Sequence, residues 1–209
     1  MVKVVLLILY PAGAWDAIVQ SRRRPAYILL VQVLPLLLLA AVGEGCGLVH
    51  WGKWQGQIEP HLKHFAVREV VVFEAAQVLL SLALVGVCSL LVKSFSGTFH
   101  ARHTWQQAFA TVAYAMSPLW LCRLLDAFSF LSPWVSWGLG ILLSLAVLYH
   151  GVPRMMDPDP AHAFGLFFMS ALLILVLTGL TQLVTSLYLQ AKFPQGEGII
   201  TGLAAKLPF

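Results

Sequence analysis

Ionisable residues inside long apolar runs are where this sequence could do chemistry. Arg123 and Asp126 stand three apart in the stretch from Trp105 to Phe128, a spacing that puts both on one helical face. Glu74 lies about one helical turn inside the run from Val70 to Leu91. A charge in hydrocarbon costs about 2.5–3.5 kcal/mol on insertion scales, so each of these residues is a functional candidate by default. Two readings are open for Arg123 and Asp126: a local ion pair that holds the helix end, or the polar wall of a substrate or proton path. For Glu74 the alternatives are snorkelling toward the headgroups and pairing with Arg123. Tyr114 and Ser117 precede Pro118 and could satisfy backbone groups freed by a kink there. Glu44, among glycines, and His150 each sit near the end of an apolar run and read as interfacial.

Metal and cofactor chemistry finds little support. His61 and His64, and again His100 and His103, are three apart, but the predicted topology puts the two pairs on opposite membrane faces, where they cannot complete one four-ligand zinc site. Only His150 is expected at membrane depth, too few for bis-histidine haem. No G-x-S-x-G elbow, H-E-x-x-H pair, Walker lysine or Rossmann glycine pattern occurs. The acidic residues are scattered, so no catalytic cluster is expected and no cofactor is assigned. Cys46, Cys88 and Cys122 never approach a C-x-x-C spacing and read as small packing residues.

The elements that must position these side chains follow from composition. A chain of 209 residues with 59% apolar and 11% charged residues and a mean hydropathy of +0.83 cannot cover a soluble domain with polar groups. A bilayer core needs roughly 20 apolar residues per helix, which leaves no room for a second, soluble domain. The net charge of +4 and the run Arg22-Arg23-Arg24 are a membrane-surface signal and not a nucleic-acid footprint.

The expected class is therefore an all-α polytopic bundle with about five spans, near 27–49, 70–91, 105–128, 134–152 and 164–189. Residues 1–25 read as an interfacial amphipathic lead-in, with Ala14, Trp15, Ile18 and Val19 on one face. Their opening run is too short for the apolar core of a signal peptide, so it is expected to stay in the mature chain. Pro35 falls inside the first span, and Gly43, Gly45 and Gly47 are expected to loosen its end. Pro118 should kink the third. Pro153 to Pro160 reads as a loop that cannot be helical throughout, and residues 190–209 as a polar tail. Ser132, Ser136, Gly140 and Ser144 recur every fourth residue along the fourth span, a stripe of small side chains that lets another helix approach closely.

Seven basic residues (Lys3, Arg22, Arg23, Arg24, Lys93, Arg102, Arg154) fall on the N-terminal side and five (Lys53, Lys63, Arg68, Lys192, Lys206) on the other, with Arg123 inside a span. The arginine cluster before the first span favours a cytoplasmic N-terminus and a C-terminus across the membrane.

The order of these features resembles the YIP-domain family, membrane proteins named for binding Ypt/Rab GTPases in eukaryotes and also found in bacteria. The resemblance covers nearly the whole chain. It is carried by the lead-in Pro11-Ala-Gly-Ala-Trp15-Asp-Ala-Ile18, the long first span, Tyr114-Ala-Met-Ser-Pro118-Leu in the third, and Tyr149-His-Gly151 leaving the fourth. It implies a helical bundle with the same termini as the charge count. Pro25 already begins the first span, so the long polar N-terminal region that engages the GTPase in eukaryotic members is missing, and GTPase binding is not carried over. The chain more nearly resembles the compact prokaryotic branch, which implies a bacterial inner membrane and a role in membrane organisation.

The expected function is a non-enzymatic scaffold or accessory subunit that acts through helix contacts, its partners being lipids, other integral membrane proteins or copies of itself. The alternative is a small transporter or channel component using Glu74, Arg123 and Asp126 between helices broken by Pro35 and Pro118.

Overall fold

Hydrocarbon offers no hydrogen bonds, so a spanning backbone must satisfy itself, and helices do so within one segment. The computed structural model describes residues 2–55, 61–101, 104–190 and 194–205. Five of its helices are long and apolar enough to cross a membrane: Pro25–His50, Val67–Thr98, Trp105–Ala127, Pro133–Met156 and Ala163–Leu189, here spans 1 to 5. Span 2 outruns its apolar stretch because Lys93 to Thr98, rich in polar residues, continue the helix where hydropathy carries no signal. The connection between spans 1 and 2 adds a small antiparallel hairpin, β1 (Lys53–Gln55) and β2 (His61–Lys63), with Trp54 opposite Leu62.

Spans 1, 2, 5 and 4 pack in succession, and span 3 fills the middle against spans 1, 2 and 4. Its most apolar window is 72% buried, as expected of the one helix that neighbours cover on most sides. The helix is broken at Met116, runs on from Ser117 to Cys122, and tightens into a 3₁₀ turn over Arg123–Ala127. Pro118 causes the break, because it lacks an N–H and its ring clashes with the preceding turn. Ser117 Oγ donates to Ala113 O at 2.9 Å and so takes the backbone role expected near the kink. Tyr114 instead packs edge-to-face on Trp15, ring centroids 6.1 Å apart.

Pro35 acts similarly in span 1. A π-turn occupies Leu29–Val33, and the Leu34 N–H reaches back five residues to Leu29 O, widening the helix ahead of the proline ring.

The lead-in forms two helices, Val2–Leu9 and Pro11–Ser21, with Pro11 starting the second where its missing N–H costs nothing. Its apolar face turns toward the protein. Trp15 is fully buried, donates its indole N–H to Val147 O at 2.9 Å, and lies over Gly151 of span 4, where a Cβ would collide with the ring.

Several boundaries differ from the sequence expectation. Span 4 carries on through Pro153 to Met156 and ends on Asp157 in the left-handed conformation. A proline in the last turn removes one hydrogen bond only, and Arg154 Nη1 covers the neighbouring His150 O at 3.1 Å. Within residues 190–209, expected as a tail, Pro194–Ala204 form a helix whose Ile200 packs against the cluster of Phe73, Tyr188 and Leu189. Gly43 and Gly47 do not loosen span 1. They are a Gly-x-x-x-Gly pair that brings it against the end of span 3, Gly43 facing Leu124 and Gly47 the backbone of Ala127.

The small-residue stripe is used inside the fold. Ser132 caps span 4 by accepting from Trp134 N, Ser136 and Ser144 are buried, and a Cβ on Gly140 would stand 2.9 Å from Leu119 Cα of span 3. The expected partner helix belongs to the same chain.

Close approach makes a paired prediction. Gly47→Ala drives a methyl into the Ala127 backbone and should lower stability by about 1–3 kcal/mol. Gly86→Ala in span 2 meets no atom within 4 Å and should be neutral or stabilising by up to about 1 kcal/mol. Thermal unfolding in one detergent compares the two.

Candidate functional site

The Gly43/Gly47 contact puts Glu44 beside the 3₁₀ turn of span 3. Glu44 lies six positions before His50 and Glu74 seven after Val67, each about 10 Å from its helix end at 1.5 Å per residue. Both side chains reach Arg123. Its Nε donates to Glu44 Oε2 and its Nη2 to Glu74 Oε2, each at 2.6 Å. One planar guanidinium thus ties spans 1, 2 and 3 together with charge-assisted bonds of the strong class. Glu44 is 2% exposed and Glu74 7%, so the network is inside the protein and neither carboxylate snorkels.

The ion pairs of Arg123 among the described residues go across the bundle and not along span 3 to Asp126. Asp126 is buried on the same face and keeps one oxygen, Oδ1, without a partner. Ser136 of span 4 brings its hydroxyl to Asp126, and Oε1 of Glu74 has no partner.

Arg123, Asp126, Glu44 and Ser136 line a cavity of about 60 Å³ to which all five spans contribute. Its far wall is a polar stripe on span 5, Thr178, Thr181, Gln182 and Thr185. Each threonine donates to a carbonyl of its own helix four residues back. That leaves Oγ lone pairs free to accept across the bundle, from Trp137 Nε1 to Thr178 at 3.3 Å and from Gln77 Nε2 to Thr185. Gln182 donates to Pro133 O at 2.9 Å. The stripe therefore acts as interhelical hydrogen bonding in the sense usual for membrane bundles, around a space polar and roomy enough for water.

Lys53 lies near Asp126 and Glu44. It precedes the β1–β2 turn, is 5% exposed, and donates Nζ to Phe128 O at 3.1 Å and Leu131 O at 3.3 Å, the carbonyls of the connection between spans 3 and 4. Burial pushes its amine below the ordinary 10.5, while the carboxylates of Asp126 and Glu44 pull it part of the way back. Counting Lys53, the region holds three carboxylates and two cations.

Glu74, Arg123 and Asp126, and a pairing of Glu74 with Arg123, are legible in the sequence. Glu44 reads there as interfacial, and Lys53 and the span 5 stripe are not among the sequence candidates. The signals were present: Gly43-x-x-x-Gly47 around Glu44, and polar residues at 178, 181, 182 and 185, the i, i+3, i+4, i+7 pattern of one helical face. Tyr114 lies with Trp15 toward the other end of span 3, apart from this network. Of the histidine pairs, His103 falls outside the described residues, as does the His61 side chain; His100 stands near His162, ring centroids 5.7 Å apart.

Five apolar spans closed around a charged network define a polytopic integral membrane protein of the all-α class. The chain belongs to the Yip1 domain family, whose model matches residues 5–181. The match runs from the lead-in through the network and into the polar stripe of span 5. No curated protein and no solved structure matches the chain.

Arg123→Gln leaves Glu44 and Glu74 facing each other without a cation. The expected loss is about 3–5 kcal/mol, with Arg123→Lys intermediate because an ammonium lacks the fork; thermal unfolding in detergent reads both. For Lys53 the unfolded chain binds more protons than the folded one between the lowered value and 10.5, so stability rises with pH across that window. Wild type should gain on Lys53→Met as pH climbs toward 10.5. An unchanging difference in melting temperature would show that Lys53 is not desolvated.

Proposed function

We propose that this chain is a non-enzymatic integral membrane protein that works through helix contacts, as a scaffold or accessory subunit of a membrane complex. The observation that carries the reading is that Arg123 of span 3 is held by two carboxylates from two other spans. Functional charges in a transport path need room to change partners; this guanidinium is fixed on three helices at once. The polar stripe of span 5 is likewise engaged in bonds between spans.

With the small-residue stripe of span 4 closed against span 3, contacts with other proteins fall to the outward apolar faces, such as Leu38 and Val42 of span 1 or Leu180 and Val184 of span 5. The partners this surface suits are lipids, other integral membrane proteins or further copies of the chain. Nucleic acid and Rab-type GTPases are not among them. The arginine cluster supports a cytoplasmic N-terminus and a C-terminus on the opposite side, and the likeness to compact prokaryotic family members supports residence in a bacterial inner membrane.

A second reading, a transporter or channel component, draws on the unpartnered Asp126 Oδ1 at the cavity. Against it, the core beyond Ser81 and Met116 is filled by Val85, Cys88, Val112 and Leu148, all fully buried.

Native mass spectrometry of protein extracted in nanodiscs should give a defined protein stoichiometry, either with itself or with another membrane protein. Proteoliposomes of the purified chain should pass no ions above empty vesicles. A partner-free chain retaining one specific small molecule, or flux abolished by Arg123→Gln in a folded variant, would replace the scaffold reading with transport.

A further inference from the structure

The membrane face opposite the network carries a second cavity, of about 330 Å³, where the second lead-in helix, the start of span 1, the start of span 3 and the end of span 4 meet. That size is within the range of small-molecule sites. Three arginines are among its lining residues, Arg22, Arg23 and Arg154.

Arg154 is paired with Asp16 at 3.1 Å, the carboxylate being 60% exposed. Arg22 and Arg23 have no carboxylate partner among the described residues, and Arg23 rests on the Tyr27 ring, 4.6 Å from its centroid. The local sum is positive. Gln106 holds this corner in place by donating to Arg23 O at 3.1 Å, and Arg22 closes its helix in the left-handed conformation.

Span 3 adds to the field. Thr104 caps it, and the first turn of a helix presents unpaired N–H groups and the positive end of the dipole. Thr104 and Gln106 both line the cavity, while Ile18, Ile28 and Met155 make its floor apolar. A cationic rim over an apolar floor, at the level where spans leave the bilayer, fits an amphiphile with an anionic head.

We propose that this pocket binds a phosphate group, and that in the membrane the group belongs to an anionic phospholipid whose glycerol end lies on the apolar floor. Arg22 and Arg23 supply the free positive charge, Arg154 is shared between Asp16 and the phosphate, and the first turn of span 3, capped by Thr104, supplies backbone N–H donors. The site is separate from the Arg123 network and stands independently of the scaffold reading.

The test uses the full chain in nanodiscs of equal phosphatidylglycerol and phosphatidylcholine, with native mass spectrometry counting retained lipid. Phosphatidylglycerol should be retained selectively, and Arg22→Gln/Arg23→Gln should weaken retention roughly 30-fold, since each basic residue near a membrane surface contributes several-fold to anionic lipid binding. Lys93→Gln, an exposed residue outside the pocket, should change nothing. Both arginines are exposed, so the variant should elute from gel filtration as wild type does.

Inorganic phosphate separates the sources. Displacement of the lipid by phosphate confirms a shared headgroup site, whereas phosphate that stabilises wild type but not the double variant, without selective lipid retention, assigns the pocket to a soluble phosphate. Equal retention by wild type and Arg22→Gln/Arg23→Gln, or an equal loss in Lys93→Gln, would overturn the proposal.

Discussion

A guanidinium cannot lose its proton to escape a low-dielectric site, so once Arg123 is placed inside span 3 the rest of the bundle must come to it. Its fork offers two edges, and one carboxylate from span 1 and one from span 2 take them at 2.6 Å each. The geometry leaves little freedom. A helix advances about 100° per residue, so turning span 1 or span 2 by one position moves its carboxylate away from the guanidinium and leaves a buried charge unmatched. The ion network thereby sets rotational register for three helices in a solvent that exerts no hydrophobic force between them.

Register alone does not bring backbones together, and the glycines complete the constraint. Glu44 stands between Gly43 and Gly47, which allow span 1 to meet Leu124 and Ala127 at the end of span 3. A larger residue at either glycine would push Glu44 outward at the point where a 2.6 Å contact is required. The 3₁₀ turn over Arg123–Ala127 contributes from the other side, since its tighter winding stacks residues three apart and turns Arg123 and Asp126 together toward the cavity. Charge and close approach are one device here, encoded within a few residues on each span.

These facts mark what could be read in the sequence. The five spans were legible because hydrocarbon demands unbroken apolar runs, and the Glu74–Arg123 pairing could be weighed because a buried charge needs a partner. Glu44 was less legible. Its position near a helix end is shared by many snorkelling carboxylates, and only the contact made by Gly43 and Gly47 tells the two cases apart. The role of Ser136, Gly140 and Ser144 was legible as close packing, but not which helix they would meet, because a small-residue stripe carries no address. Helix ends were hidden where polar residues continue a helix beyond its apolar run, as at Lys93 to Thr98, and the terminal helix because Ile199, Ile200 and Leu203 are too few to mark a run.

The two ends of the bundle are held by different physics, and the difference follows from what each end contains. At the Arg123 end, spans 1, 2 and 3 are fixed by directional bonds to one cation, and span 5 by hydrogen bonds from Gln77, Trp137 and Gln182. At the other end none of the described residues is a buried charge, and Trp15, Tyr114, Leu148, Val152 and Leu166 fill the space by shape. Packing of that kind tolerates small shifts that a 2.6 Å ion pair does not. The Trp15 indole supplies one directional element there, its bond to Val147 O, which docks the lead-in helix on span 4. The lead-in is therefore more than an anchor in the headgroup layer: it is a wall of the bundle, and it carries Arg22 and Arg23 to the rim of the basic pocket because Trp15 holds the helix they terminate.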